Sequence, residues 1–319
     1  MASKQNLGRL FVIGGSGYVG SVITELAVAQ GYDVHGLSRT ENSDEKLRSL
    51  GATAVRGDLT SVDVLRQESS EADVVIHLAT AFTMGVGTYD DTKHIDIAAV
   101  DAIADGLAGT NKPLIVTNGT LVVEADPTGA ETTEKSPLAV SPVSGRGEVE
   151  QYSLALASRG IRVMVVRLAP YVYGRGGSGV GRFIGMAAKT GKVTCVDAGR
   201  NHTTTVHVDD VASLYLLAAQ KGKAGEVYNA TTATNLTARQ IFDAIAAAVG
   251  VSVQDIAHDD AVKHIGVTFA WFLRAENRAS GAKAVKELGW QPEGDGILEE
   301  ISGGSYHTLA QSLRQTSAK

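Results

Sequence analysis

The sequence predicts an α/β fold, a doubly wound parallel sheet with a smaller C-terminal lobe. Three observations predict it. The run Leu10-Phe11-Val12-Ile13 leads into glycines spaced G-x-x-G-x-x-G at Gly14, Gly17 and Gly20, with a helical segment behind them. Strand-like and helix-like segments then alternate through the first half of the chain. The strand-like segments are rich in Val and Ile and almost continuously apolar, as strands buried on both faces of a parallel sheet must be.

The elements follow in order. Arg9–Ile13 reads as the first strand and Val22–Gln30 as the helix after it, closed by Gly31. Asp33–Leu37 is the second strand, followed by a short helix Glu45–Leu50 that Gly51 ends. Ala54–Arg56 is the third strand, Asp63–Glu68 a helix and Ala72–Leu78 the fourth strand. His94–Ala108 carries a long helical period, and Lys112–Thr117 is the fifth strand. Gly147–Ser158 is a helix closed by Gly160, and Arg162–Arg167 the sixth strand. The second half is less regular. Helices are expected over Val180–Thr190, Val211–Gln220, Thr237–Val249 (capped by Thr237) and Ser280–Leu288 (capped by Ser280). Short strands are expected over Lys192–Asp197, Thr204–Val208 and Glu226–Asn229.

Composition narrows the class. The 319 residues are 44% hydrophobic and 20% charged, an ordinary globular balance. A net charge of −6 with no basic run argues against nucleic acid as a partner. No apolar stretch approaches the ~20 residues of a membrane span. Met1–Gly8 is read as too polar and short for a signal peptide, so a cytoplasmic location is expected. Cys195 is the only cysteine, which excludes intrachain disulfides and cysteine metal clusters.

The glycine run has the form of a diphosphate cradle. Gly14 turns the chain after the strand, Gly17 lets the backbone approach the phosphates, and Gly20 lets helix and strand pack closely. Ser16, Gly17, Tyr18, Val19 and Gly20 open a helix whose N–H groups and positive dipole end suit a dinucleotide. The second strand ends in Ser38-Arg39 rather than in the acidic residue that grips the ribose 2′-OH of NAD. A guanidinium matches a 2′-phosphate, so NADP(H) is the preferred cofactor and NAD(H) the alternative. Asp58 and Leu59 end the third strand, where the carboxylate would meet adenine or cap the next helix. Leu78, Ala79 and Thr80 end the fourth strand and leave room for the middle of the cofactor.

These motifs stand in one order with Tyr171-Val172-Tyr173-Gly174, His207-Val208-Asp209-Asp210-Val211-Ala212 and Glu287-Leu288-Gly289-Trp290-Gln291-Pro292. In that order the chain resembles the extended and atypical short-chain dehydrogenase/reductases, the NAD-dependent epimerase/dehydratase superfamily. The resemblance implies a Rossmann domain over residues 1–170 and a substrate lobe over 171–319, partly interleaved with it. It places Pro170 at the nicotinamide end, and Thr117 and Arg146 beside it.

The family's usual Tyr and Lys, four apart on one helix, are not found where the resemblance puts them. Counting back from Glu150, Arg146 stands in the Lys slot and Pro142 in the Tyr slot, with Ser141 and Ser144 the nearby hydroxyls. Gly119 holds the usual Ser/Thr slot, flanked by Thr117 and Thr120. Arg146 can grip a ribose or an oxyanion but does not give up a proton near neutral pH; its structural alternative is a surface pair with Glu150. Tyr89 and Lys93 make one Tyr-x-x-x-Lys before the long helix. Tyr171, Tyr173 and Thr120 remain as proton-donor candidates. His207 with Asp209 and Asp210 reads as an anchor between lobes rather than a metal site. The expected activity is hydride transfer to or from a small carbonyl, alcohol or imine. A redox-neutral epimerase or isomerase, and a non-catalytic cofactor-binding regulator, are the alternatives. The expected partner is a small-molecule substrate, and a homodimer stays open.

Overall fold

A computed structural model describes residues 6–83, 86–141 and 145–317. The first strand, β1 (Arg9–Ile13), is buried from Leu10 onward, which its unbroken apolar run required. It leads into α1 (Tyr18–Gln30), β2 (Asp33–Ser38), α2 (Glu41–Ser49), β3 (Thr53–Arg56), α3 (Val62–Glu71) and β4 (Val74–His77). Then come α4 (Tyr89–Leu107), β5 (Pro113–Gly119), α5 (Gly145–Ala155) and β6 (Arg162–Leu168). The later elements are β7 (Tyr171–Tyr173), α6 (Ser178–Thr190), β8 (Lys192–Val196), β9 (His202–His207) and α7 (Val208–Lys221). They continue through β10 (Val227–Ala230), β11 (Ala233–Thr237), α8 (Ala238–Val249) and β12 (Ser252–Ile256). The chain closes with α9 (His258–Ile265), α10 (Val267–Arg274), α11 (Ala282–Leu288), α12 (Ile297–Ser302) and α13 (Ser305–Ser317).

The main sheet has seven parallel strands in the order β10-β6-β5-β4-β1-β2-β3. The order reverses between β1 and β4, and ligands bind parallel sheets at such a switch point, beyond the carboxyl ends of the strands. One apolar core packs α1 and α7 on one face, through Ile23, Ala27, Leu214 and Tyr215. Another packs α3 and α4 on the opposite face, through Leu65, Ile103 and Leu107. This is the Rossmann-like doubly wound sheet the sequence predicts. A third core, around Ile184, Phe242, Ile245 and Tyr306, lies under α6, α8, α12 and α13. Two small sheets accompany it, β11-β9-β7 and β12-β8. Late in the chain, β10 joins the main sheet beside β6 and α7 packs on α1. Among the described residues no helix is long and apolar enough to cross a membrane.

Several boundaries differ from expectation for local reasons. α4 starts at Tyr89 rather than His94, because the Asp91 carboxylate accepts the Thr88 amide at 2.7 Å and the Thr88 hydroxyl at 2.9 Å. This puts Tyr89 and Lys93 on the helix. α2 starts at Glu41 because Thr40 caps it, its Oγ accepting from the Ser43 amide at 3.3 Å. α11 is capped by Gly281, not Ser280; a Cβ on Gly281 would lie 2.3 Å from the Thr231 carbonyl oxygen, so the close approach fixes the glycine there. The strand β7 was not expected; Tyr171 and Tyr173 pair with Thr205 and His207, partners more than thirty residues on.

Candidate active site

The glycine turn after β1 is built as its spacing demands. Gly14 has a φ of 95°, in the left-handed region, and its carbonyl accepts the Gly17 amide at 3.0 Å. A Cβ on Gly20 would lie 2.1 Å from the Gly14 oxygen. α1 therefore begins directly against the turn, with extended Gly17 as its N-cap and no side chain capping it. Its first amides are left for a ligand. The Tyr18 hydroxyl donates to the Gly174 carbonyl at 2.8 Å, tying this turn to the loop after β7. Burial pushes that phenol well above its ordinary range. Val19 packs into the core behind the turn.

A cleft of about 1330 Å³, counted with its open mouth, runs from this turn across the strand ends. Gly14, Ser16 and Gly17 line one end, and Arg39, Asp58 and Leu59 the β2–β3 side. Leu78, Ala79, Thr80 and Phe82 line the β4 side. Arg39 is exposed at the rim. Ser38 is buried and its hydroxyl donates to the Thr40 carbonyl at 3.0 Å, so it stands behind the lining rather than in it. Asp58 Oδ1 accepts from the Thr60 amide at 2.8 Å and the Thr60 hydroxyl at 2.7 Å, and these bonds lower its pKa. That carboxylate shapes the turn into α3 while also lining the cleft.

The β4 exit is held from below by Asp96 on α4. Its carboxylate accepts from the Thr80 hydroxyl at 2.6 Å, the Ala81 amide at 2.7 Å and the Tyr89 hydroxyl at 2.9 Å. Beside it, burial pushes the His77 imidazole down to about 4, against a smaller upward pull from Asp96. His77 Nδ1 has no hydrogen-bond partner among the described residues.

At the β5 end a second pocket opens, about 870 Å³ with its mouth. Leu78 and Phe82 line both it and the first cleft, so the two are continuous. Thr117, Asn118, Thr120, Arg146 and Pro170 line its floor, and Thr268, Trp271 and Phe272 of α10 its outer wall. Arg146, in the first turn of α5, donates from Nε to Asn118 Oδ1 at 3.3 Å, and its guanidinium lies 5.5 Å from the Tyr89 ring centre. The alternative reading of Arg146, a surface pair with Glu150, is not what the structure shows. Glu150 is buried, and both its oxygens are claimed by Arg167 on β6, with Nε donating at 3.0 Å; Asn118 donates to it at 2.8 Å. Pro142 and Ser144 lie outside the described residues.

The other candidates are placed as follows. Tyr89 and Lys93 share a helix face but not a site: Lys93 Nζ pairs with Glu148 at 2.6 Å and Asp90 at 3.1 Å, outside, while the Tyr89 hydroxyl turns in to Asp96. The Thr120 hydroxyl is buried and donates to Asn277 Oδ1 at 3.0 Å, and Thr117 shares a hydrogen bond of 2.7 Å with Tyr215. Tyr173 is not brought to the pocket; its hydroxyl donates to the Asp295 carbonyl at 2.7 Å. Tyr171 presents its ring to Phe183 and Phe272, its buried hydroxyl lacks a partner among the described residues, and burial raises its pKa. His207 caps α7, with Nδ1 accepting from the Asp209 amide at 3.3 Å, while Asp210 holds the Glu293 amide at 2.8 Å. Sequence reasoning missed Asn118, Asp96, Phe82 and the α10 side chains; only the aromatic run in Phe269-Ala270-Trp271-Phe272 signalled the last of these.

Comparisons with known proteins agree with this geometry. The profile of the NAD dependent epimerase/dehydratase family matches residues 10–231. An uncharacterized protein of Schizosaccharomyces pombe is 32% identical over 300 residues, 93% of this chain and 99% of its own length. A 4-hydroxy-2-methyl-3-oxo-4-farnesyl-3,4-dihydroquinoline-1-oxide ketoreductase of Stigmatella aurantiaca is 28% identical over 258 residues, 77% of this chain and 75% of its own. Among solved structures, the UDP-glucose 4-epimerase of Thermus thermophilus in complex with NAD superposes with a TM-score of 0.74 at 23% identity, covering 94% of this chain and 98% of its own. Relatives with assigned activities are epimerases, reductases and dehydrogenases. With the glycine turn, the sheet order and the profile all in accord, the chain belongs to the NAD-dependent epimerase/dehydratase family.

Proposed function

We propose that the protein is an NADP(H)-dependent oxidoreductase that reduces a small-molecule carbonyl, or oxidises the matching alcohol, in the pocket at the β5 end. The observation that carries this reading is the continuity of the diphosphate turn, Arg39 and the β5-end pocket along one cleft. The ketoreductase relative supports the reaction class.

The residues fit a dinucleotide. Gly14, Ser16, Gly17 and the α1 amides would hold the diphosphate, with Tyr18, Val19 and Gly20 fixing the turn from behind. Arg39 would take the 2′-phosphate, Asp58 and Leu59 the adenine, and Leu78, Ala79 and Thr80 the middle. Thr117, Arg146 and Pro170 would flank the nicotinamide end. When bound, the reduced cofactor supplies the hydride to the carbonyl carbon. Arg146 orients the carbonyl oxygen and stabilises the negative charge that develops on it, as fixed donors in a poorly solvated site do. Its guanidinium keeps its protons. Thr120 and Tyr173 have already donated theirs to Asn277 and Asp295. Tyr171 keeps a hydroxyl without a partner among the described residues, but it is buried away from solvent and would not regain a lost proton, so we assign the alkoxide's proton to water entering by the pocket mouth.

Fluorescence titration with NADPH and NADH tests the nucleotide assignment. The wild type is expected to bind NADPH at least tenfold more tightly, and Arg39→Gln to remove that preference while leaving NADH affinity within about twofold, since one charge-assisted bond to a phosphate is worth about 1.5–3 kcal/mol. Equal binding of both nucleotides by the wild type would overturn it. Arg146→Met is expected to lower kcat at least tenfold with little change in NADPH affinity.

A further inference from the structure

We infer that the substrate is an apolar ketone or aldehyde whose hydrocarbon tail lies under α10, not a sugar nucleotide. The inference rests on the reading above for the reacting end and adds the chemistry of the rest of the molecule.

The polar groups at the β5 end are already committed. Thr117 bonds Tyr215, Asn118 bonds Glu150 and the Arg146 carbonyl, and Thr120 bonds Asn277. Among the described lining residues this leaves the terminal nitrogens of Arg146, the Thr268 hydroxyl and the Trp271 indole N–H to meet a ligand. That is enough for one carbonyl oxygen. A sugar would bury more hydroxyls there than these groups can pair, and an unpaired buried hydroxyl weakens binding.

Beyond the carbonyl the wall becomes apolar. Pro170 and Phe272 line both the β5-end pocket and a third cavity of about 1140 Å³, counted with its mouth. Tyr171, Val180, Phe183, Met186, Ile265 and Phe269 give that cavity most of its apolar wall, and its described lining carries no carboxylate. Its rings are arranged as a surface: Phe269 lies parallel to Phe183 at 6.2 Å and to Phe272 at 6.1 Å, and Tyr171 stands 5.8 Å from Phe272. Arg182 is the only charge among the described lining residues. Met186 is 51% exposed at the edge, an unbranched side chain able to follow tails of different shape. A pocket that offers hydrogen bonds at one end and aromatic faces along the rest selects by tail area.

The test uses 4-alkylacetophenones with ethyl, butyl and hexyl chains, and UDP-glucose as the hydrophilic arm. Binding is read from quenching of Trp271 fluorescence, with Trp271→Phe identifying that signal against buried Trp290. Titrations run with and without NADP+. Affinity is expected to rise about three- to fourfold per methylene, and 1 mM UDP-glucose to leave the signal unchanged. Met186→Lys, at the exposed edge, should flatten the rise for the hexyl compound while sparing the ethyl one. Affinity independent of chain length, or UDP-glucose binding tighter than the ketones, overturns the inference. If the series binds but NADPH does not, the tail pocket stands and the cofactor reading falls.

Discussion

Gly20 is the residue on which the phosphate turn depends, and its tolerance is nil. Any Cβ there meets the Gly14 carbonyl, so Gly20→Ala is expected to cost on the order of 3 kcal/mol and to abolish NADPH binding, read by thermal melting and titration. His77 makes a second residue-scale prediction. Its imidazole is neutral in the folded chain down to about pH 4, whereas the unfolded chain takes up the proton near 6.5. Its contribution is therefore complete above pH 6.5 and is lost as the pH falls from 6.5 towards 4, by about 3 kcal/mol at the foot of that window. The stability of the wild type relative to His77→Leu should fall by about 3 kcal/mol as the pH drops across those values; melting curves with a constant gap would contradict the account. Residues of this kind differ in legibility. Gly14, Gly17 and Gly20 declare themselves because their spacing encodes backbone geometry. Asp96 does not, because one Asp on a helix looks the same whether it faces solvent or holds the Thr80 and Ala81 groups of a distant loop.

Among the elements, β5, α5 and β6 are held together by the buried Glu150–Arg167 pair, which Asn118 joins from β5. Glu150→Gln leaves the Arg167 charge without its counter-ion, and about 3–5 kcal/mol of stability is expected to go with it, measured by urea unfolding. The same variant shifts Asn118 and with it the anchor of Arg146, so kcat should fall more than NADPH affinity. A loss under about 1 kcal/mol would show that the pair does not clamp these elements. The central strands β1, β4, β5 and β6 could be placed from sequence because they are buried on both faces and carry long apolar runs, whereas β3, at the sheet edge, is only partly buried. The helix starts were misplaced where capping decides them: Thr88 with Asp91 moves α4 back five residues. The partner Glu150 takes, Arg167 on β6, could not be read because it is remote in sequence. The helix α10 went unseen since its eight residues show no clear period, yet it supplies the outer wall of the pocket at the β5 end.

At the scale of the whole molecule, the doubly wound parallel sheet and the glycine turn after its first strand were foreseeable, whereas which side chains close the β5 end was not. That end is made by contacts between segments far apart: Thr120 with Asn277, Thr117 with Tyr215, and α10 over Pro170. The cleft runs from the glycine turn after β1 to the pocket under α10, so a ligand filling it should stabilise the molecule as a unit. At one hundred times its Kd, NADP+ is expected to add about 2.7 kcal/mol in a single cooperative transition. The most direct test of hydride transfer in this cleft uses NADPH deuterated at the transferring position, with 4-butylacetophenone as acceptor and mass spectrometry of the product. One deuterium on the carbinol carbon, formed at a rate that Arg146→Met lowers at least tenfold, is the predicted result. Tight NADPH binding with no deuterium transferred to any ketone of the series would contradict it.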